Sequence, residues 1–271
     1  VIRVAAIGDV VGKAGRQSLE HFLPRLRDEF SPDIVLANGE NAAGGFGLTR
    51  KVFDLLTGSM GIDCITMGNH WHDKREIYDF CEKEDRLVLP ANMSNCDDTK
   101  HGLKILKSRS GVSFAVVNLI GKAFMHADNR PPFPAADKIF ARIPDFVKIR
   151  LVDMHAEVTS EKQGMGRYLC GRASLVYGTH SHVPTADERI LDGKTGYITD
   201  LGMTGPYESV IGIKVQPALE RLISGVKKNF EPASRDLWFC AIIADIDEAT
   251  DQCQRLQRLR WEVDQHPANV L

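Results

Sequence analysis

The chain has 271 residues, 43% apolar and 26% charged, with a formal net charge of -2, the balance of a globular protein and not of a disordered or collagen-like one. That charge gives no argument for a nucleic-acid surface or an acidic membrane, and no apolar run approaches the length of a bilayer-spanning helix. Six cysteines, at 64, 81, 96, 170, 240 and 253, lack CxxC spacing, which favours reduced core thiols over a disulfide scaffold or a thiolate zinc site.

Residues 1–7 read as a strand running into GDVVGKAG. The opening VIRVAAIGD has no leader pattern, so a cytoplasmic location is expected. An amphipathic helix is predicted over 15–30, with Leu19, Phe22, Leu23 and Leu26 on one face. Pro32 marks a turn before a short apolar strand at 33–37, of the kind buried in parallel sheets. A helix over 49–59 with a Thr49 cap follows, then a strand at 62–67 ending on GNHWHD, a helix at 74–84 and a strand at 87–93. Such alternation marks a layered α/β domain.

The rhythm then changes. Residues 103–120 read as a hairpin turning at Ser110-Gly111, and DNRPPFPAADKIFARIP as a Pro-rich loop. Strands are expected at 147–154, ending at His155, at 173–177, ending at GTHSH, and at 189–191, 196–200 and 237–246. The segment QRLQRLRWEV fits a helix through Leu256, Leu259 and Val263, or a strand through Leu259, Trp261 and Val263. No repeat or linker divides the chain. Residues 1–271 are therefore expected to form one domain, its later half laying a second sheet against the first.

Metal-capable side chains fall at the ends of these strands. Asp9 follows the first. Glu40 and Asn41, within ANGENAAGG, follow the second, and Asn69 and His70 the third; His155, His180 and His182 follow later ones. Ligands of α/β sheets bind beyond the carboxyl ends of the strands, so these groups should meet at one edge. Singly, each has a plainer reading as a cap, a turn residue or a hydrogen-bonding side chain, and HSH as two residues on one side of a strand. Together, the plain readings require a long coincidence. Nitrogen and oxygen donors without thiolate suit Mn²⁺, Fe²⁺ or Zn²⁺. The set exceeds one tetrahedral zinc and suits two ions roughly 3.5–4 Å apart, bridged by a carboxylate and a hydroxide. Gly44, Gly45 and Gly47 either line this site or serve a tight turn. Lys13, Arg16 and Arg167 are read as solvated surface cations rather than phosphate contacts.

GD at 8–9, GEN at 39–41, GNH at 68–70, His155 and GTHSH at 178–182 resemble the ordered motifs of the calcineurin-like metallophosphoesterase superfamily. GDVVGKAGR, NGENAAGGFGLT, ITMGNHWHDKREI, DMHAEVTSEK, GTHSHVPTADERI and YITDLGMTGPYESVIG resemble a small bacterial branch of it, known for 2',3'-cyclic nucleotide phosphodiesterase activity. The resemblance implies an α/β fold, a four-layer α-β-β-α sandwich with two packed mixed sheets, and a dimetal site where the loops of both sheets converge. Carried over by residue, Asp9 and His182 hold one metal, Asn69, His155 and His180 the other, and Glu40 bridges them. Asn41 adds a ligand or lies just behind, and His70 stands near the leaving group. The tail becomes a hairpin of 237–246 with QRLQRLRWEV.

Two departures from the broad superfamily match this branch. Val11 stands where an Asp-x-His motif would place its imidazole, and Glu40 replaces the usual bridging Asp. Oxygen in place of nitrogen favours iron or manganese, with zinc compatible, as the two divalent ions. His72 is read as a loop residue or one behind the ligands. The expected function is dimetal-dependent hydrolysis of phosphodiester bonds by a metal-bridging hydroxide, on small diesters such as 2',3'-cyclic nucleotides, with RNA-related diesters a further class. A phosphomonoesterase or nucleotidase is the enzymatic alternative, and a regulatory or scaffold protein retaining the dimetal site the other. No membrane partner is expected. Trp71, Phe133 and Tyr207, in expected loops, are compatible with a homo-oligomer or with a site lining.

Overall fold

The structure, a computed structural model, describes residues 1–93, 101–126, 128–226 and 230–263. The first part of the chain forms β1 (Ile2–Ile7), β2 (Asp9–Val10), α1 (Gly12–Phe30), β3 (Ile34–Asn38), α2 (Arg50–Asp54), β4 (Cys64–Thr66), α3 (Ile77–Phe80) and β5 (Leu87–Val88). The middle adds β6 (Leu103–Lys107), β7 (Ser113–Ile120), α4 (Pro132–Phe140), β8 (Ile149–His155), α5 (Thr159–Tyr168) and β9 (Leu175–Thr179). The last part holds β10 (Arg189–Leu191), β11 (Thr195–Ile198), β12 (Met203–Pro206), α6 (Val215–Ser224), β13 (Leu237–Ile246) and β14 (Cys253–Glu262).

Two mixed sheets result. One runs β2-β12-β13-β1-β3-β4-β5 with β14 added on β13, and the other runs β10-β11-β9-β8-β7-β6. In the first sheet β1 pairs parallel with β3 and antiparallel with β13, so the centre joins both ends of the sequence. Strand alternation decides what each face touches. Ile2, Val4 and Ala6 of β1 pack toward the second sheet, with Phe114, Val116, Ile149 and Leu151 opposite. Ala5 and Ile7 face the other way, onto Leu19, Phe22, Leu23 and Leu26 of α1. On the far side, Val117, Val152 and Val176 pack on Ala136 and Ile139 of α4 and Met165 of α5. The layers are therefore α-β-β-α, as the resemblance implied.

Several elements differ from the sequence expectation, each for a local reason. The predicted helix over 49–59 begins at the Thr49 cap but passes into a π turn at Leu55–Ser59, where the Thr57 hydroxyl donates back to the Phe53 carbonyl at 2.8 Å. Such back-bonding competes with the helical ladder. The helix over 74–84 contracts to α3, whose N-terminus has no capping side chain. The strand at 87–93 shrinks to β5 ahead of Pro90, and the Asn92 side chain instead bonds both the carbonyl and the amide of Ile120. The Pro-rich loop contains α4, because Pro132 occupies the first helical position, where a missing N–H costs nothing. QRLQRLRWEV is a strand: β14 pairs antiparallel with β13, placing Leu259, Trp261 and Val263 on the helix-facing side.

Among the described residues no disulfide joins Cys64, Cys81, Cys170, Cys240 and Cys253; Cys96 lies outside them. Among the same residues no helix is long and apolar enough to cross a membrane.

Candidate metal centre

The carboxyl ends of β1, β3 and β4 in one sheet and of β8 and β9 in the other open onto the same crevice. α1 carries the ANGENAAGG loop there. Its first N–H, from Gly12, donates to the Asn41 carbonyl at 2.9 Å, and the Arg16 guanidinium donates to the Ala42 carbonyl. One orphan donor of the helix start is thereby satisfied, and Arg16 is a loop anchor rather than a solvated cation. Lys13 is exposed, and Arg167 pairs with Asp192.

All seven expected ligands are brought together. Glu40, 1% exposed, accepts at Oε1 from Asn41 Nδ2 at 3.1 Å and stands 3.2 Å from His155 Nε2. Its Oε2 accepts the His70 N–H at 3.0 Å. Asn69 Oδ1 lies 3.0 Å from His155 Nε2, and the rings of His155 and His180 meet edge to face at 4.7 Å. Donor atoms of Glu40, His155 and His180 all lie within 4.8 Å of one another. Asp9 Oδ2 accepts the His180 N–H at 3.1 Å, while its Oδ1 stands 3.8 Å from His182 Nε2. His182 Nε2 in turn meets Asn41 Nδ2 at 3.1 Å.

The Asp9 Oδ1 atom is buried and has no hydrogen-bond partner. A buried carboxylate oxygen left so costs about 1–3 kcal/mol, and a cation or a water would satisfy it. Gly68 supplies the space: a Cβ there would overlap His155 Nε2 and Glu40 Oε2. Carboxylate, imidazole and amide donors around an open point fit a divalent cation.

Charge and burial compete at each group. Burial would raise Glu40, but the charge and hydrogen bond of His155, backed by His70 and His180, hold it well below the usual carboxylate range. Burial would likewise lower His155, but the same pairing with Glu40 raises it to about 9. Burial leads in pushing Asp9 up to about 6, against the pull of His182 and His155. His180 is pushed down to about 3 by burial and by the His155 charge. Its Nε2 donates to Glu157 Oε2 at 3.0 Å, which leaves Nδ1 as the free lone pair.

The loop that carries His180 and His182 is not an extended strand. Both residues are left-handed, with φ of 96° and 65°, a conformation costing about 1–3 kcal/mol for each unless the surroundings over-determine it. They do. Asp200 Oδ2 accepts the Ser181 N–H at 3.2 Å, the Met203 N–H donates to the His182 carbonyl at 3.2 Å, and His182 Nδ1 donates to the Ile211 carbonyl at 2.8 Å. Asp200 is itself gripped by Lys162 Nζ at 2.6 Å, both side chains being 1% exposed.

Beneath His155 lies a polar network absent from the sequence expectation. Asp153 accepts from Thr66 Oγ1 at 2.5 Å, from Asn38 Nδ2 at 3.1 Å and from Thr179 Oγ1 at 2.6 Å. Burial raises Asp153, opposed by His155 and these donors. The single Thr179 proton is committed to Asp153, so His155 Nδ1, 2.9 Å from the same oxygen, is the donor, and Nε2 is left for a cation. Asn38 Oδ1 accepts the Glu40 N–H at 3.1 Å, so one network sets both residues. Its sequence signal was Asp153 itself, two before His155 and on the same strand face. Thr179→Val is expected to weaken divalent-metal affinity about 10–100-fold, with Thr179→Ser near wild type. Metal titration of chelator-stripped protein measures it, and an unchanged Val variant removes Thr179 from this role.

His70 does not join the donor cluster directly. Its Nδ1 lies 2.9 Å from Asp73 Oδ2, and its ring packs beside Phe46 at 4.9 Å. His72 is exposed and lines a smaller cavity with Asn69, Trp71 and His126. Trp71 is buried in the core, and Tyr207 stacks on Trp238 at 4.0 Å. Gly45 lines the main cavity, Gly44 is exposed and Gly47 packs on Lys74.

A profile described as YmdB-like protein matches residues 5–259. The chain is 41% identical, over 258 residues, to the 2',3'-cyclic-nucleotide 2'-phosphodiesterase of Bacillus subtilis (strain 168), covering 95% of this chain and 96% of that one. A hypothetical protein from Thermus thermophilus superposes with a TM-score of 0.88 at 38% identity, covering 96% of this chain and 99% of that one. A novel phosphatase from Mycoplasma pneumoniae superposes with a TM-score of 0.89 at 28% identity, covering 96% and 93%.

Proposed function

Because the chain belongs to the YmdB-like family of calcineurin-like metallophosphoesterases, we propose that it hydrolyses phosphodiester bonds of 2',3'-cyclic nucleotides at a pair of divalent cations. The observation that carries this is the unpartnered Asp9 Oδ1, set beside His182 and apart from the Glu40–His155–His180 group. Two adjoining donor sets support two ions. Asp9, His182 and Asn41 would hold one; Asn69, His155 and His180 would hold the other, with Glu40 between. Asn41 turns its Nδ2 inward, and a half-turn of the amide presents its oxygen. Cations held there supply Lewis acidity to the phosphoryl oxygens and lower the pKa of water toward neutrality. Oxygen in place of one nitrogen donor, with Val11 where an imidazole would stand, favours iron or manganese, with zinc compatible.

The remaining work falls to this chain's own side chains. Glu40, fixed through Asn38 and the His70 N–H, keeps both donor sets in register. Water attacks phosphorus in line with one ester bond; that P–O bond breaks, and charge grows on the departing oxygen. His70, oriented by Asp73, donates a proton to it. The product is a phosphomonoester.

The test uses protein purified without added metal or chelator. It should contain about two equivalents of Fe, Mn or Zn and hydrolyse 2',3'-cyclic AMP in preference to 3'-AMP. In the same assay His70→Ala should slow a poor leaving group more than a good one. Absence of metal, with no activity after its addition, overturns the reading; faster cleavage of the monoester replaces it with a phosphomonoesterase.

A further inference from the structure

The donor cluster forms only one wall of a cavity of about 440 Å³, a volume in the range of whole small-ligand sites. The other walls are apolar: Phe46 stands at one side beside His70, and Ile211, Ile213, Phe230 and Pro232 extend away from the cluster. Among the described residues Arg221 is the one charged side chain of these walls, and its guanidinium lies 4.5 Å from the centre of the Phe230 ring. At the rim, Gly45 adopts φ of 97°, and a Cβ there would come 2.7 Å from Pro232. The glycine loop thus closes onto the apolar wall without filling the cavity.

A cyclic phosphate needs the donor cluster and nothing of this wall. A hydrated or cationic group would be poorly served by it. A planar, weakly polar aromatic group suits it, since rings and guanidinium planes offer stacking surface to any base. The Phe46 and Phe230 rings and the Arg221 guanidinium that line the cavity offer surface to the face of a base rather than to its hydrogen-bonding edge.

We propose that the Phe46–Phe230–Arg221 cleft is a nucleobase subsite, which seats the base of a 2',3'-cyclic nucleotide by stacking while its cyclic phosphate lies on the donor cluster. The assignment rests on the phosphodiesterase reading above. It makes the enzyme tolerant of base identity and selective against cyclic diesters that carry no base.

Steady-state kinetics on metal-loaded protein test this, with 2',3'-cyclic AMP and 2',3'-cyclic UMP against glycerol 1,2-cyclic phosphate. The wild type should favour both nucleotides over the glycerol diester in kcat/KM, through KM. Phe230→Ala should cut that preference about tenfold or more, Arg221→Ala should reduce it, and Phe230→Trp should restore it. If either alanine variant leaves the ratio of nucleotide to base-free diester as in the wild type, the cleft is not the base subsite, although diester hydrolysis stands. If the wild type hydrolyses none of the three, the phosphodiesterase reading fails, and the subsite with it.

Discussion

Glu40→Gln is expected to lower phosphodiester hydrolysis by on the order of 10³-fold or more and to reduce bound metal below two equivalents, with the fold retained. The substitution keeps the shape but removes the buried charge at the centre of the donor cluster. It also replaces one acceptor oxygen with a donor, facing either the His70 N–H or the Asn41 amide. Metal analysis and activity assays check this, and two tightly held metals with full activity would end the bridging role.

A second signature appears in the metal-free protein. The pairing with Glu40 raises His155 to about 9, above its ordinary value of about 6.5. That pairing stabilises the native state fully below about pH 6.5, and the contribution is lost as pH rises through about 9. The Gln variant lacks this charge, so its melting temperature in chelator should not show that decline. Metal competes for the same nitrogen as the proton, so loading of the wild type strengthens as pH rises toward 9.

Lys162→Met is the substitution with the largest expected effect on stability. It leaves Asp200 ionised, buried and unpaired, a change that costs about 3–5 kcal/mol and lowers the melting temperature by roughly 10 °C. Because Asp200 also accepts the Ser181 and Gly202 N–H groups, the left-handed His180–His182 loop should loosen, and metal retention should weaken beyond the loss of stability. Adding Asp200→Asn should recover part of the melting temperature by removing the stranded charge. Melting in chelator and metal titration separate the two effects. A single variant melting within about 2 °C of wild type would show that the pair does not support the loop.

The candidate ligands are legible because they end strands, a position that chain order alone marks. Asp9, Glu40, Asn69, His155 and His180 needed no knowledge of packing, and the alternation of strand and helix was enough to bring the first three together. The groups behind them were not legible in this way. Thr66, Thr179 and Asn38 are ordinary strand residues until the second sheet lays Asp153 against them, and Lys162 looks like a helix-surface cation until α5 buries it against Asp200. GTHSH marks His180 and His182 as following a strand, but their left-handed backbone depends on partners at 200, 203 and 211. The apolar cleft was hidden for the same reason, since Phe46, Ile211 and Phe230 come from separate loops with no common period. Where local chemistry decides the element, as at α4, the segment reads as a Pro-rich loop although Pro132, the second of its prolines, opens the helix.

The position of β1 has a consequence for how the molecule is made. The strand that leads to Asp9 is synthesised well before β13, which pairs along one of its edges. Pairings of such long range are late events in folding. Until β13 pairs, that edge of β1 is open, the kind of surface that recruits other strands. The β13–β14 hairpin is therefore what closes the sheet whose strand ends carry these donors.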